Sequence, residues 1–190
     1  MMKRLLDILV SSVALLVLAP VTVLCAIAVK LSSPGPALFS QWRLGQYGKP
    51  FRLWKLRSMY HRCVDRRNPD GSAYTGADDP RITPAGRFLR ATSLDELPQL
   101  WNVLRGDMSV VGPRPDQVDQ VRFYSEEERR KLLVKPGLTG LAQISGRNAI
   151  SWAQRKALDV EYVEKCSLKL DLSILCRTIP YVCLRRDLHS

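Results

Sequence analysis

Ile8-Leu9-Val10-Ser11-Ser12-Val13-Ala14-Leu15-Leu16-Val17-Leu18-Ala19-Pro20-Val21-Thr22-Val23-Leu24-Cys25-Ala26-Ile27-Ala28-Val29 decides where the chain belongs, because no ionisable side chain interrupts it apart from Cys25. About 20 apolar residues are what a helix needs to cross a hydrocarbon core. Lys3 and Arg4 precede the segment and Lys30 follows it, so the tendency of basic residues to stay cytoplasmic pulls both ends to one side. Pro20 lies near the middle, where a missing backbone donor and a crowded preceding turn favour a kink. A helix that enters, bends at Pro20 and returns satisfies both flanks. A simple span satisfies one of them, with Asp7 then sitting at the interface beside Lys3 and Arg4. A cleaved signal peptide is opposed by Asp7 in the basic region and by the length of the apolar run.

Beyond this segment, 190 residues suffice for one domain with a real core. Lys and Arg outnumber Asp and Glu by 29 to 18, a formal charge of +11 that calls for polyanionic company. Five cysteines without a C-x-x-C spacing suggest neither a zinc site nor a disulfide framework. Two histidines, His61 and His189, leave little room for a Ser-His-Asp triad or a histidine metal centre.

Ser32 to Pro36 is turn chemistry and marks a boundary, dividing residues 1-31 from 32-190. Ala37–Leu44 and Pro50–Leu56 are β-rich and flank a glycine-containing loop, so they predict a hairpin. Its basic and aromatic residues (Arg43, Arg52, Lys55, Trp42, Trp54) suit single-stranded nucleic acid or lipid headgroups. The nearby anchor favours headgroups. His61–Pro80 has the composition of an exposed loop, to which no chemistry is assigned. Arg81–Arg90 predicts a short helix.

Ser93-Leu94-Asp95-Glu96 reads as the start of a helix, with Ser93 and Glu96 in a capping box. Capping alone accounts for Glu96. Pyrophosphate chemistry asks for the same acids: one carboxylate aimed at phosphorus and another on a divalent cation, with basic groups for the developing charge. Arg87 and Arg90, about a turn upstream, are candidates for that last role. In Gly112-Pro113-Arg114-Pro115, two prolines stiffen the backbone around one arginine, which either binds an anion or is simply exposed by the turn. Lys135–Gly140 and Ser145–Asn148 are glycine-rich loops, compatible with phosphate contact or with plain connection, and neither matches a P-loop. Trp152–Lys165 predicts a helix. Leu168–Leu188 fits a basic amphipathic helix lying on a membrane and equally a core helix.

These motifs, joined by Ser33-Pro34-Gly35-Pro36, Lys55-Leu56-Arg57-Ser58-Met59 and Gly106-Asp107-Met108-Ser109, occur in an order and spacing that resembles the bacterial sugar transferases, monotopic phosphoglycosyl transferases. The resemblance runs from about Lys3 to Leu175. It implies a mostly helical α+β fold. A re-entrant membrane helix would precede a small cytosolic catalytic domain with a β-hairpin and surface-lying amphipathic helices, on the cytoplasmic face of the bacterial inner membrane. It implies that Asp95 attacks the β-phosphate of a UDP-sugar, releases UMP and holds the phosphosugar until a polyprenyl (undecaprenyl) phosphate takes it, with Glu96 on Mg²⁺. Arg90 and Arg114 would contact phosphate or nucleotide, with Pro113, Pro115, Arg147 and Asp159 around them. Membrane phospholipids are then partners and nucleic acid is not. Relatives often carry Ser-Pro at the helix break, whereas this chain has Ala19-Pro20. Larger relatives add spans and a further domain, so this chain is expected to be a minimal catalytic unit.

Overall fold

The computed structural model describes residues 2–183, apart from 75, 77, 147 and 148. Helix α1 (Met2–Ser32) is long and apolar enough to cross a membrane and contains Pro20. A hairpin follows, with β1 (Leu38–Leu44) antiparallel to β2 (Pro50–Leu56) in a register that sets Trp42 opposite Arg52. Then come α2 (Pro84–Thr92), α3 (Gln99–Arg105), β3 (Ser109–Val111), β4 (Gly137–Thr139), α4 (Leu141–Ile144), α5 (Trp152–Glu164) and α6 (Leu168–Cys183). Short 3-10 turns lie at Leu94–Glu96, Val118–Phe123 and Glu128–Leu133. The fold is mostly helical α+β.

The core forms where the inward face of the hairpin meets the helices. Phe51 and Leu53, alternate residues of β2 and so on one side of the sheet, pack with Val103, Met108, Val110, Ile144, Tyr162 and Ile174. β3 and β4 pair in parallel, and the pairing depends on bare backbone. A Cβ on Gly137 would lie 2.1 Å from the Gly112 nitrogen, and one on Gly140 would lie 2.1 Å from the Gly112 oxygen. No real side chain fits either gap, so the glycines of the Lys135–Gly140 loop serve close backbone approach. Gly112 N–H donates to the Thr139 carbonyl at 2.9 Å and Gly137 N–H to the Pro113 carbonyl at 2.8 Å, pinning the Gly112–Pro115 turn.

Both ends of α1 dock on this one globular body. At the start, Lys3 Nζ donates to Asp171 (2.5 Å), Tyr162 Oη (3.2 Å) and the Val111 carbonyl (3.0 Å). Arg4 donates to the Val103 and Leu104 carbonyls, each at 2.6 Å, at the end of α3. Asp7 is buried and accepts from Ser109 Oγ and Val110 N–H, both at 2.9 Å. It is therefore a strand partner, and the interfacial pairing with Lys3 and Arg4 expected for a single span does not form. At the far end Cys25 and Val29 pack on Leu56 and Leu89. Buried Arg57 then ties down the following turn through Ser33 Oγ (2.5 Å), the Ser33 carbonyl (2.9 Å) and the Pro36 carbonyl (2.6 Å). Leu9, Leu16, Val17 and Leu24, between the docked ends, are exposed. Thr22 Oγ1 donates to the Leu18 carbonyl at 2.8 Å beside Pro20, a side-chain-to-backbone bond of the kind that bends helices.

Candidate active site

Helix α2 is set by local rules. Pro84 opens it, and Thr83 caps it by accepting from the Gly86 N–H at 2.9 Å. Gly86 is needed because a Cβ there would meet the Ser58 carbonyl oxygen at 1.9 Å. The helix therefore starts at Pro84, later than the Arg81 expected. It ends on Ser93, whose backbone is left-handed (φ 58, ψ 14) and whose N–H bonds back to the Arg90 carbonyl. The capping box expected of Ser93 and Glu96 is not formed: Ser93 closes the preceding helix, and its side chain makes no capping bond. A non-glycine residue in this conformation is uncommon and costs free energy, which places a tight, strained corner two residues before Asp95.

Asp95 and Glu96 sit in the 3-10 turn after that corner, both buried. Glu96 Oε1 accepts from Lys55 Nζ at 2.8 Å and from Arg114 Nη2 at 2.9 Å. Among the described residues no hydrogen bond reaches the Asp95 carboxylate, although the charges of Lys55, Arg90 and Arg114 act on it. Burial pushes its carboxyl above the usual range, Lys55 opposes this and Glu96 adds to it. A helix N-terminus would hold a carboxylate down; burial wins here because the turn is too short to carry a helix dipole. Burial likewise lowers Lys55, against the pull of Glu96 and Asp95.

The pair opens into a cavity of about 760 Å³. Arg87, Arg90, Arg114, Pro115 and Asp159 line it, as do Asp95 and Glu96. Pro113 does not; it is buried behind the turn. Arg147 lies outside the described residues. Asp159 Oδ2 takes Lys131 Nζ at 2.6 Å, its buried Oδ1 has no hydrogen bond among the described residues, and Lys131 also pairs with Asp116 at 2.9 Å. The 61–80 segment, read as an uninvolved loop, supplies one wall through His61, Cys63, Arg66 and Tyr74. Its Asp79 is buried against Arg81.

Sequence reasoning missed Lys55, Arg43, Lys131 and Arg155, which also face this cavity. Lys55 and Arg43 had been grouped with the hairpin's outward cations. Only part of that holds, since Arg52 stays outside between Trp42 and Trp54 while Lys55 turns toward Glu96. Opposite faces of adjacent strand positions were the available signal.

Among the described residues no group of three or more His, Cys, Asp or Glu side chains could hold a metal ion. Mg²⁺ needs no such cage, since one or two carboxylates plus substrate phosphates and waters suffice. Asp95 and Glu96 provide hard oxygen donors of that type, so the residues present fit it.

Bacterial sugar transferase is the description of the family whose model matches residues 1–185. Among curated proteins, the chain is 48% identical to the uncharacterized sugar transferase EpsL of Bacillus subtilis, over 100% of this chain and 91% of that one. It is 45% identical to the exopolysaccharide production protein ExoY of Rhizobium meliloti (98% and 87% covered). It is 46% identical to a UDP-glucose:undecaprenyl-phosphate glucose-1-phosphate transferase of Caulobacter vibrioides (94% and 68% covered).

Proposed function

The chain belongs to the bacterial sugar transferase family, and from that footing we propose that it moves a sugar-1-phosphate from a UDP-sugar to undecaprenyl phosphate through a phosphosugar held on Asp95. One observation carries the reading. A buried carboxylate without a hydrogen bond among the described residues lies beside a second carboxylate, ion-paired to Lys55 and Arg114, in a cation-lined cavity whose Leu56 packs on Cys25 and Val29 of the apolar helix.

An Asp95 oxygen attacks the β-phosphorus of the donor. The bond from that phosphorus to the bridging oxygen breaks, and the electron pair leaves on UMP. An oxygen of the lipid phosphate then attacks the same phosphorus, the Asp95–phosphorus bond breaks, and the carboxylate returns. Lys55, Arg90 and Arg114 oppose the burial that raises the Asp95 carboxyl and meet the negative charge that develops. Glu96, aligned by Lys55 and Arg114, would hold Mg²⁺ beside Asp95. Bound there, the ion would neutralise the phosphate oxygens.

The helix of residues 1-31 is read as re-entrant and residues 32-190 as a catalytic domain on the cytoplasmic face of the inner membrane. Basic residues at both flanks and the docking of both helix ends on one body support this. UDP-glucose is the first donor to try, given the name of the Caulobacter relative. With Mg²⁺ and polyprenyl phosphate present, the parent releases UMP from one donor in a panel of UDP-sugars, and Asp95→Asn releases none. An equally active Asp95→Asn would remove Asp95 from the chemistry.

A further inference from the structure

Arg155 stands in the first turns of α5, which Ser151 and Gln154 cap reciprocally. It lines the cavity with Arg43 and Arg114. Among the described residues its guanidinium has no hydrogen bond or ion pair, and its Nε is buried without a partner, as is that of Arg43. Buried polar groups are nearly always satisfied, so each such atom asks for an explanation. Arg114 also repels each of the other two guanidiniums. Burial and then Arg114 lower Arg43 to about 10, and the same two causes, in the same order, lower Arg155.

Among the described residues no acid comes within ion-pair distance of Arg155: Asp116 and Asp159 Oδ2 share Lys131, Asp159 Oδ1 is buried without a hydrogen bond, and Asp70 accepts from Ser72. Arg114 alone of the three has a carboxylate, that of Glu96, within ion-pair distance among the described residues. The missing counter-charge is an anion from outside, and a phosphate matches the geometry of guanidinium donors.

Two phosphates visit this cavity, and their routes differ. Arg90 belongs to α2, whose Leu89 packs on Cys25 and Val29 of the membrane helix. The first turn of α5 makes other contacts, with Trp152 against Leu44 and Tyr124 and Lys156 on Glu128 at 2.8 Å. A lipid phosphate tethered in the membrane comes from the α2 side. A water-soluble nucleotide suits the α5 side.

We propose that Arg155, with Arg43 and Arg114, receives the phosphate that stays on the donor's nucleoside and departs in UMP. The assignment rests on the transferase reading above. When the bridging bond breaks, the electron pair remains on this α-phosphate, whose charge rises from one to two, and the guanidiniums meet that rise.

The test uses the full chain in lipid, comparing the parent with Arg155→Met and Arg155→Lys. Because Arg155 bonds to nothing in the fold among the described residues, the Met variant melts at or above the parent's temperature. Its Kd for UMP and its KM for the donor rise about tenfold or more, as expected for a lost charged hydrogen bond. UMP binding by the Met variant also depends less steeply on salt, and Arg155→Lys recovers part of the loss. An unchanged UMP Kd in the folded Met variant overturns the inference. A change confined to the KM for polyprenyl phosphate overturns it too, moving the site to the acceptor. If the parent itself releases no UMP from any donor, the transferase reading fails and this inference falls with it.

Discussion

Lys131 illustrates how much rests on single ionic residues here. Its Nζ is buried between Asp116 and Asp159, and Tyr124 Oη donates to Asp116 at 2.5 Å. Lys131→Met strands two buried acids and should cost roughly 3–5 kcal/mol, read as a lower unfolding midpoint in detergent. Asp79 offers a pH signature. Hydrogen bonds from Arg81 hold its carboxyl below the ordinary range, despite burial. A depressed folded pKa means that the unfolded chain takes the proton first, so this stabilisation is complete above about pH 4 and is lost as pH falls further. Melting scans from pH 6 to 3 should therefore show a steeper acid loss for the parent than for Asp79→Asn. The variant starts roughly 1–3 kcal/mol less stable at neutral pH. Equal slopes would discount the Asp79–Arg81 pair.

Among the elements, β3 and the turn after it link the membrane helix to the acidic pair. Asp7 bonds the start of β3, Lys3 bonds the Val111 carbonyl at its end, and Gly112–Pro115 then delivers Arg114 to Glu96. Asp7→Ala should destabilise by roughly 3 kcal/mol through two lost bonds to a charged acceptor, measured by thermal unfolding in the same lipid. Gly137→Ala forces a Cβ to within 2.1 Å of the Gly112 nitrogen, so the Arg114 turn must move. UMP release by a variant that still folds should fall at least tenfold if Arg114 aligns Glu96. Activity equal to the parent's would detach the turn from the reaction. The glycines of this loop were visible in the sequence, but their partner, a backbone segment more than twenty residues away, was not.

For the whole molecule, the re-entrant reading makes a topological prediction. With Met2→Cys and native Cys63 compared as single cysteines in otherwise cysteine-free backgrounds, a membrane-impermeant thiol reagent should modify position 2 from the same face as Cys63, which is exposed like Cys166 and Cys176. Labelling from opposite faces would establish a single span. The sequence by itself determined what depends on short-range order: the apolar helix, the hairpin and its ends, the acidic pair and the rigid arginine turn. Each follows from hydrophobic period, proline and glycine placement, or a local motif. Tertiary structure alone decided which charges meet. Lys55 looked like a headgroup contact until the packed strand turned it to Glu96. Asp7 looked like an interfacial acid until β3 covered it, and Arg155 drew no reading of its own until the cavity took it in. The physical reason is burial. An ionic side chain in water can be read from its neighbours in sequence, but once desolvated it must find a counter-charge or donor wherever the fold brings one, at any distance along the chain.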